Sequence, residues 1–370
     1  MTATRGLEGV VAAQSSICSI VDGVLCYGGI NIDELAEHAT FEEVVYLLWH
    51  GALPKRDQLE TLQKQLGENA AVPAEVLEGI RNYPQGVHPM AALRTAVSSL
   101  ALYDSEAQVM TTEANYRKSI RLMAQTPTLI AAFARMRKGL EPVAPKANYT
   151  IAQNFLYMLT GEEPTETAVK AFNVALILHA DHEFNASTFA ARVTVATLTD
   201  IYSGIVSAIG TLKGPLHGGA NEAVAAMLTE IGSLDKVEGY VRQKLDNKDK
   251  IMGFGHRVYK DGDPRAKWLK QMSKELTAQI GRPELYEMSV KIDDMVTGEK
   301  GLKPNVDFYS ASVYISLGLE IDLFTPIFAI SRMSGWTAHI MEQYENNRLI
   351  RPRADYTGPV NQHYVPIDRR

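Results

Sequence analysis

The sequence predicts a mainly α-helical, two-domain fold with a small β-hairpin at the N-terminus. Most segments repeat their apolar residues with the period of a helix, and strand-like alternation around a tight turn is confined to the start of the chain. The chain has 370 residues, which is more than one simple core usually needs. A composition with 46% hydrophobic and 22% charged residues is ordinary for a globular protein.

The hairpin is predicted from residues 16–21 and 24–27, which flank Asp22-Gly23. Two-residue hairpin turns favour this dipeptide, because both turn positions need a positive φ. Helical sequence begins after the hairpin. Residues 40–43, Thr-Phe-Glu-Glu, have the pattern of a helix start, and Gly51 lies where that helix would end.

The later helices are predicted from the same signals. Residues 149–159 carry one apolar stripe that ends before Gly161. Asp263-Pro264 has the pattern of an N-cap followed by proline at the first helical position, and its helix would end at Gly281. Thr325-Pro326 repeats this start signal. We therefore expect nearly all regular structure after the hairpin to be helical.

The two predicted domains are not joined by a linker. No Pro/Ser-rich stretch divides the chain, so a second domain must be an insertion, and glycine-rich stretches mark its edges. We predict a large helical domain from residues 1–219 and 321–370. A small helical domain from residues 220–320 would be inserted into it and would close over the active site.

The charge and cysteine content narrow the class of protein. A formal net charge of −6 argues against a general nucleic-acid binder, so an anionic ligand would need a local basic pocket. Cys18 and Cys26, the only cysteines, fit neither a disulfide framework nor a zinc site, which favours the cytoplasm. The first residues lack the apolar stretch of a signal peptide, and runs such as residues 174–178 are too short for a bilayer. We expect no nucleic-acid or membrane partner.

Two of the nine histidines lie in glycine-rich loops just ahead of helical patterns. His217 lies within residues 214–222, and His256 lies within residues 253–260. Glycine allows a loop to approach a ligand closely, so both imidazoles are candidates to contact a substrate. The alternative is that they only satisfy neighbouring backbone groups. Basic residues beside His256 favour the ligand site.

These basic residues form a local excess of positive charge. Residues 250–270 hold six of them against two aspartates. They are Lys250, Arg257, Lys260, Arg265, Lys267 and Lys270. Such a run is usually a solvated face, but Arg265 falls in the first turn of its predicted helix, where a guanidinium and free N–H groups favour a carboxylate. Arg332 lies on an otherwise apolar helix, where an unpaired charge is costly.

Two further patterns leave alternatives open. Asp307 precedes a helical run, so it is either an N-cap or, if the fold brings it to the histidines, a base. His179 and His182 are three residues apart and could share a metal. Their spacing does not match the His-Glu-x-x-His pattern of zinc proteases, so a substrate hydrogen bond or a satisfied core histidine is favoured.

Seven segments in order make the chain resemble the citrate synthase family, in its short bacterial and archaeal type, over nearly its whole length. The segments are GLEGVVAAQSSIC near the start, HPMAALRTAVS at 88–98, LHADHEFNAST at 178–188, GPLHGGANEAV at 214–224, IMGFGHRVYK at 251–260 with DPRA at 263–266, PNVDFYS at 304–310, and FAISRMSGWTAHIMEQ through RPRADYTGP at 328–359. Several motifs in one order are far more specific than one glycine-rich loop.

The resemblance implies a citrate synthase-like helical fold and an acyltransferase activity. The implied reaction condenses acetyl-CoA with oxaloacetate and hydrolyses citryl-CoA to citrate and CoA. The matching positions imply three catalytic residues. His217 would hydrogen-bond the thioester carbonyl, Asp307 would remove a methyl proton, and His256 would donate to the oxaloacetate ketone.

The resemblance also implies how the substrates are held. Oxaloacetate would be bound by His182, Arg265, Arg332 and Arg351, the last reaching in from the partner subunit of a homodimer. CoA would lie along a stretch before His256 and the basic residues after it. These CoA-binding residues are Lys250, Ile251, Met252, Gly253, Phe254, Arg257 and Lys260. No metal and no cofactor is implied, since the CoA thioester is itself a substrate.

Three alternatives remain at this stage. A 2-methylcitrate synthase would share the same motifs and use propionyl-CoA, and one extra methylene gives only about 1–3 kcal/mol of discrimination. A non-catalytic helical protein that binds CoA or dicarboxylates would be expected to lack His217, His256 or Asp307, and all three are present. A metal hydrolase built on His179 and His182 is the third alternative.

Overall fold

A computed structural model describes residues 5–7, 9–256, 258–259 and 261–370, without the Arg5 side chain. In this structure, the N-terminal sheet has the predicted turn. Three antiparallel strands form the sheet in the order β1 (Cys18–Val21), β2 (Val24–Tyr27) and β3 (Ile30–Asn31). Asp22 and Gly23 both have positive φ, at 51° and 78°, so the hairpin prediction is confirmed. The short β3 was not predicted.

The described chain then continues as helices up to the His217 loop. They are α1 (Ile32–His38), α2 (Phe41–His50), α3 (Arg56–Glu68), α4 (Ala74–Arg81), α5 (Pro89–Tyr103), α6 (Thr112–Met136), α7 (Ile151–Thr160), α8 (Glu166–His179), α9 (Ala186–Val195) and α10 (Ile201–Leu212). The predicted boundaries of α2 are confirmed. Thr40 and Glu43 form a capping box, and Gly51 ends the helix in the left-handed conformation.

Six more helices follow the His217 loop in the described chain. They are α11 (Ala220–Ile231), α12 (Val237–Asp246), α13 (Ala266–Gln279), α14 (Glu284–Lys300), α15 (Val306–Ser316) and α16 (Phe324–Glu345). The two Pro-based start signals are displaced in the structure. Helix α13 begins at Ala266, although Asp263 Oδ1 accepts the Arg265 N–H at 3.1 Å, the hydrogen bond expected of an N-cap, and also binds the Arg265 guanidinium. Helix α16 begins at Phe324, so Thr325 lies inside it and its hydroxyl donates to the Gly218 carbonyl.

Helix α16 is the centre of the molecule. Every residue from position 324 to position 340 is buried, and α16 packs against α2, α6, α8, α9 and α10. Helices α11 to α15 pack mainly on one another, and α11 and α15 also contact α16 and α8, respectively. The described chain has no helix both long and apolar enough to cross a bilayer. The fold is mainly α-helical, as predicted.

Candidate active site

The loop between α8 and α9 carries His182 and is held by the N-terminal sheet. The Tyr27 hydroxyl donates to the Asp181 carbonyl at 3.0 Å, and the Glu183 carboxylate accepts the Ile20 N–H at 2.8 Å. Glu183 has a φ of 49°, in a region that residues other than glycine rarely occupy. The sheet therefore fixes a loop conformation that the loop sequence would not favour by itself.

The His182 and His256 side chains lie together against Tyr259. Nε2 of His182 is 3.0 Å from the Tyr259 hydroxyl, and the two imidazole centroids are 5.1 Å apart. Nδ1 of His256 accepts the N–H groups of Val258 at 3.0 Å and Tyr259 at 3.3 Å. Since an amide N–H can only donate, the neutral His256 ring must carry its proton on Nε2. That nitrogen is then a hydrogen-bond donor for a ligand.

The His217 ring is oriented by the first turn of α9. Its Nε2 lies 2.8 Å from Ser187 Oγ and accepts the Ser187 N–H at 3.3 Å. The amide fixes the tautomer here too, so the neutral ring carries its proton on Nδ1. The His217 centroid lies 6.5 Å from the Phe328 ring. His217 is thereby placed beside α16.

Arg265 is held by a buried carboxylate. Asp263 accepts two hydrogen bonds from the guanidinium, at 2.9 Å from Nε and 2.8 Å from Nη2. The same carboxylate accepts the Val306 N–H at 3.0 Å, at the start of α15. One side chain thus orients Arg265 and fixes the position of the helix that carries Asp307.

The Arg332 guanidinium, on α16, has only part of its hydrogen-bonding capacity satisfied. Its Nε donates to the His179 carbonyl at 2.9 Å, and its guanidinium carbon lies 4.7 Å from the centre of the Phe328 ring. Nη1 is buried and has no hydrogen-bond partner among the described residues. A buried charged donor without a partner is costly, so this nitrogen is available to a bound anion.

Asp307 is not a helix cap. Asn305 is the N-cap of α15 and accepts the Asp307 N–H at 3.0 Å, so the N-cap interpretation of Asp307 is wrong. Oδ1 of Asp307 is buried and has no partner in the described chain. Burial raises the pKa of this carboxyl to about 7, against the opposing positive charges of Arg265 and Arg332. The positive charges of both arginines therefore act on the Asp307 carboxyl.

The three imidazoles are neutral at neutral pH. Burial, together with the charge of Arg332, lowers the pKa of His217 to about 4. Burial and then the charge of Arg265 lower the pKa of His256 to about 4, although Asp263 opposes them. Burial and the same arginines hold the pKa of His182 well below its usual value. At neutral pH these rings act as neutral hydrogen-bonding groups at their free nitrogens.

His179 turns away from a shared metal site with His182. Its Nδ1 is 2.8 Å from the Ala175 carbonyl within α8, and its ring packs edge-on to Phe328 with 4.8 Å between centroids. In the described part of the chain, no group of three or more His, Cys, Asp or Glu side chains could hold a metal ion. His179 is thus a core histidine whose carbonyl binds Arg332.

The predicted CoA stretch is tied to the segment that carries Asp307. Gly253 has a φ of 85°, and a Cβ there would lie 2.8 Å from Val224 and 2.9 Å from Phe308, so only glycine fits. The Gly253 carbonyl accepts the Asn305 N–H at 2.9 Å. The Phe254 and Phe308 rings lie 4.5 Å apart. This backbone is therefore fixed next to the start of α15.

The remaining CoA candidates differ in exposure. Lys250 is exposed, Ile251 is buried, and Met252 is half-buried. Arg257 and Lys260 lie outside the residues that the structure describes.

Arg351 does not contact the other predicted oxaloacetate-binding residues of its own chain. Residues 351–370 are exposed apart from Gly358, which is half-buried, and they form no helix or strand before a final short turn. Arg351 makes no hydrogen bond or ion pair with the described residues of its own chain. Large apolar side chains of this tail are also exposed, including Tyr356 at 69% and Tyr364 at 80%.

Three residues that orient the candidate site side chains are not among the predicted site residues. The sequence predicts Asp263 only as a helix start and assigns no role to Tyr259 or Ser187. Each lies within two to five residues of a predicted site histidine or arginine, in a segment rich in small or polar residues. Closeness in sequence to those histidines and to Arg265 was the signal that could have identified the three residues. The contacts that these residues make depend on the packing of separate segments, which the sequence does not show.

The described chain is a helical protein in which three neutral histidines, two buried guanidiniums and a buried carboxyl with a pKa of about 7 come from separate segments. Comparison with known proteins shows the family. The family model described as "Citrate synthase, C-terminal domain" matches residues 6–353. The chain belongs to the citrate synthase family.

Three similar proteins illustrate the match. "Citrate synthase 2" of Bacillus subtilis (strain 168) is 67% identical over all of both chains. "2-methylcitrate synthase 2" of Corynebacterium glutamicum is 41% identical, covering 99% of this chain and 97% of that protein. A solved citrate synthase of Thermoplasma acidophilum, in ternary complex with carboxymethyl coenzyme A and oxaloacetate, has a TM-score of 0.93 at 36% identity and covers 98% of both chains.

Proposed function

We propose that this chain condenses the acetyl group of acetyl-CoA with oxaloacetate and hydrolyses citryl-CoA to citrate and CoA. The observation that carries the proposal is the Asp307 carboxyl, which is buried, unpaired at Oδ1 and has a pKa of about 7. A base whose pKa lies near the working pH is suited to removing a proton from carbon. Structural carboxylates in folded proteins are usually paired or exposed instead.

In the proposed first step, Asp307 takes a methyl proton from acetyl-CoA. A thioester methyl is a very weak carbon acid, so negative charge that forms on the thioester oxygen must be stabilised at once. The Nδ1–H of His217 would donate to that oxygen, since Ser187 occupies Nε2. One fixed donor of this kind is worth on the order of 10²–10³ in rate.

In the second step, the enolate carbon attacks the oxaloacetate ketone. The carbon–carbon bond forms as the ketone oxygen gains charge, and the Nε2–H of His256 would donate to that oxygen. The backbone amides on His256 Nδ1 support this assignment because they leave the proton on Nε2. Water then hydrolyses the citryl-CoA thioester.

We propose that the two carboxylates of oxaloacetate are held by Arg265, Arg332 and His182. Asp263 orients the Arg265 guanidinium, and Arg332 Nη1 is a buried donor without a partner among the described residues. Guanidinium forks bind carboxylates with two hydrogen bonds each. The net negative charge of the chain makes such a local basic pocket necessary.

We further propose a homodimer in which Arg351 completes the partner's oxaloacetate site. The exposed tail, its exposed apolar side chains and the absence of Arg351 from the cluster of its own chain support this. An exposed apolar set of this kind indicates an interaction surface. Contacts with the second copy would then hold the tail and Arg351 in place.

We propose domain closure and CoA binding because helices α11 to α15 form a unit of their own. A small domain of residues 220–320, with residues 1–219 and 321–370 as the large domain, is supported by these helices packing mainly on one another. Its closure would exclude water during enolate formation. Residues 250–254, together with Arg257 and Lys260, would lie along CoA.

Two free thiols, at Cys18 and Cys26, are consistent with the proposed cytoplasmic location.

Thiol release tests the function directly. With acetyl-CoA and oxaloacetate present, purified protein should release CoA thiol, and release should stop when oxaloacetate is omitted. Folded protein that releases no CoA would contradict the enzyme and favour the non-catalytic CoA- or dicarboxylate-binding protein. Full activity in excess chelator is expected, because no step uses a metal.

The similarity to a 2-methylcitrate synthase gives one second candidate function. That enzyme's name implies the propionyl substrate, and a pocket distinguishes one methylene by only about 1–3 kcal/mol. We expect acetyl-CoA to have the higher kcat/KM, with measurable activity on propionyl-CoA. A clear preference for propionyl-CoA would assign the second function instead.

A further inference from the structure

The buried carboxylate of Asp181 lies beside the helix face that carries Arg332. A Cβ at Gly335 would collide with Asp181 Oδ1, so this oxygen lies directly against α16. Gly335 follows Arg332 by three residues and is therefore its neighbour on the same face of the helix. The Arg332 Nε also donates to the carbonyl of His179, two residues before Asp181 in the chain, at 2.9 Å. Two independent contacts thus place the Asp181 carboxylate near the Arg332 guanidinium.

The hydrogen bonds of Asp181 leave its charge without a direct cationic partner among the described residues. Its Oδ2 accepts from His339 Nε2 at 3.2 Å, and its Oδ1 has no hydrogen-bond partner in the described chain. Nδ1 of His339 lies 3.2 Å from Arg192 Nη1, which can only donate, so the imidazole carries one proton, on Nε2, and is neutral. Asp181 and His339 are both fully buried. A buried carboxylate needs a nearby positive charge, and a neutral imidazole does not supply one.

The charges of Asp181 and Arg332 act on each other. Burial alone would raise the pKa of the Asp181 carboxyl, but His339 and Arg332 favour its charged form and hold the pKa below its usual value. Burial lowers the pKa of Arg332, and Asp181 opposes that effect more than any other group. Arg265, the other buried guanidinium of the site, is already paired with Asp263. Asp181 therefore supplies the main negative charge opposite Arg332 within this chain.

We propose that Asp181 is the internal counter-charge of Arg332 and that it weakens the binding of oxaloacetate. A ligand carboxylate at Arg332 Nη1 and the Asp181 carboxylate would be like charges beside one guanidinium, so they repel each other. Asp181 thereby stabilises Arg332 before a ligand binds and limits the affinity afterwards. It acts through Arg332 and does not touch the ligand. The proposal deepens the function proposed above and rests on it, since it takes oxaloacetate as the ligand of Arg332.

Removing only the charge of Asp181 tests the proposal. Asp181→Asn keeps the size of the side chain and an oxygen that can accept from His339. Calorimetric titration with oxaloacetate alone should therefore give a Kd lower by roughly tenfold, the order expected when one of two like charges in a buried site is removed. An unchanged or higher Kd would overturn the proposal.

Glu42→Gln is the matched control for the loss of a buried carboxylate. Glu42 is also buried, accepts a backbone N–H, from Ile151 at 2.7 Å, and has an Oε2 without a partner in the described chain. It lies on α2 and binds the start of α7, so the Kd for oxaloacetate should be unchanged. A Kd lowered equally by both substitutions would contradict a specific effect of Asp181 on Arg332.

Thermal melts provide a second test, in which the sign of the effect depends on Arg332. In the unmodified background, Asp181→Asn should lower the melting temperature, because Arg332 loses its counter-charge. In an Arg332→Met background the same substitution should raise it, because Asp181 is then the uncompensated charge. A decrease in both backgrounds would assign Asp181 to the packing of its loop only and would overturn the proposal. The Arg332→Met comparison still decides if Asp181→Asn alone does not fold.

Failure of the proposed function gives a different result. If the unmodified chain binds no oxaloacetate in the same titration, the assignment of oxaloacetate to Arg332 is wrong. If the unmodified chain binds oxaloacetate and Asp181→Asn binds it no more tightly, only the counter-charge proposal is wrong.

Discussion

At the scale of single residues, seven buried side-chain atoms of the described chain have no hydrogen-bond partner, and two of them belong to predicted site residues. Arg332 Nη1 and Asp307 Oδ1 are both inaccessible and have no partner in the described chain. Burying such groups opposes folding. A folded enzyme retains them where a ligand or a proton transfer uses them, which is the known conflict between activity and stability. Both groups were singled out from the sequence, Arg332 because a charge interrupts an apolar helix.

This conflict predicts that removing the Asp307 charge stabilises the fold. Asp307→Asn should raise the melting temperature at pH 8, where the free energy gained amounts to up to about 4 kcal/mol. The physical reason is that the carboxyl has a pKa of about 7 when folded, against a model value of 3.8. Between these values the folded chain binds the extra proton, so stability falls as the pH rises towards 7.

The stabilisation should therefore be large at pH 8 and small at pH 4, where Asp307 is protonated in the folded chain. Thermal melts of both proteins at the two pH values measure it. A variant that melts lower than the unmodified chain at pH 8 would contradict the buried, uncompensated carboxylate.

At the scale of elements, the site depends on loops whose backbone is tied to distant segments. Sequence signals located most helices, because periodicity and capping are local. They misplaced the starts of α13 and α16. The Asp263 carboxylate also accepts the distant Val306 N–H, and the Thr325 hydroxyl donates to the Gly218 carbonyl. The sequence left Asp307 open between the cap of α15 and a base, and Asn305 supplies the cap. Local pattern cannot show which polar side chain a distant segment will engage.

The predicted CoA loop offers a test at this scale. Gly253→Ala should raise the KM for acetyl-CoA at least about tenfold, because the new Cβ would meet Val224 and Phe308 at 2.8 Å and 2.9 Å. The KM for oxaloacetate should change less. Steady-state kinetics with each substrate varied in turn measures both.

Gly281→Ala is the matched control for backbone strain. Gly281 also has a positive φ, at 70°, but a Cβ there would meet nothing within 4 Å. Its kinetics should be unchanged. Equal effects of the two alanine substitutions would indicate that φ alone is responsible and that the loop does not hold CoA.

At the scale of the whole molecule, the candidate site draws its residues from segments far apart in sequence. His182, His217, His256 and Asp307 lie on four separate segments, fixed by Tyr27, Ser187 and Asp263 contacts. The residue types were predictable from motifs and from the resemblance to a family. Their orientation was not, since hydrogen bonds such as that from Val306 to Asp263 exist only in the folded chain.

The proposed dimer makes its own prediction. Arg351→Ala should raise the oxaloacetate KM by roughly ten- to hundredfold, since one guanidinium–carboxylate contact is lost, while the variant remains a dimer. Light scattering and steady-state kinetics on the same preparation measure both quantities. Arg353→Ala, two residues along the same exposed tail, is the control and should leave the KM nearly unchanged. A fully active monomer would contradict completion of the site by a second copy.

The central claim is that Asp307 removes the methyl proton beside His217 and His256. Turnover of Asp307→Asn under saturating acetyl-CoA and oxaloacetate tests it most directly, with folding confirmed by circular dichroism. A neutral amide cannot take the proton, so kcat should fall by roughly 10²–10⁴ or more while the helix cap at Asn305 stays intact. A folded Asp307→Asn variant with nearly unchanged kcat would contradict the account.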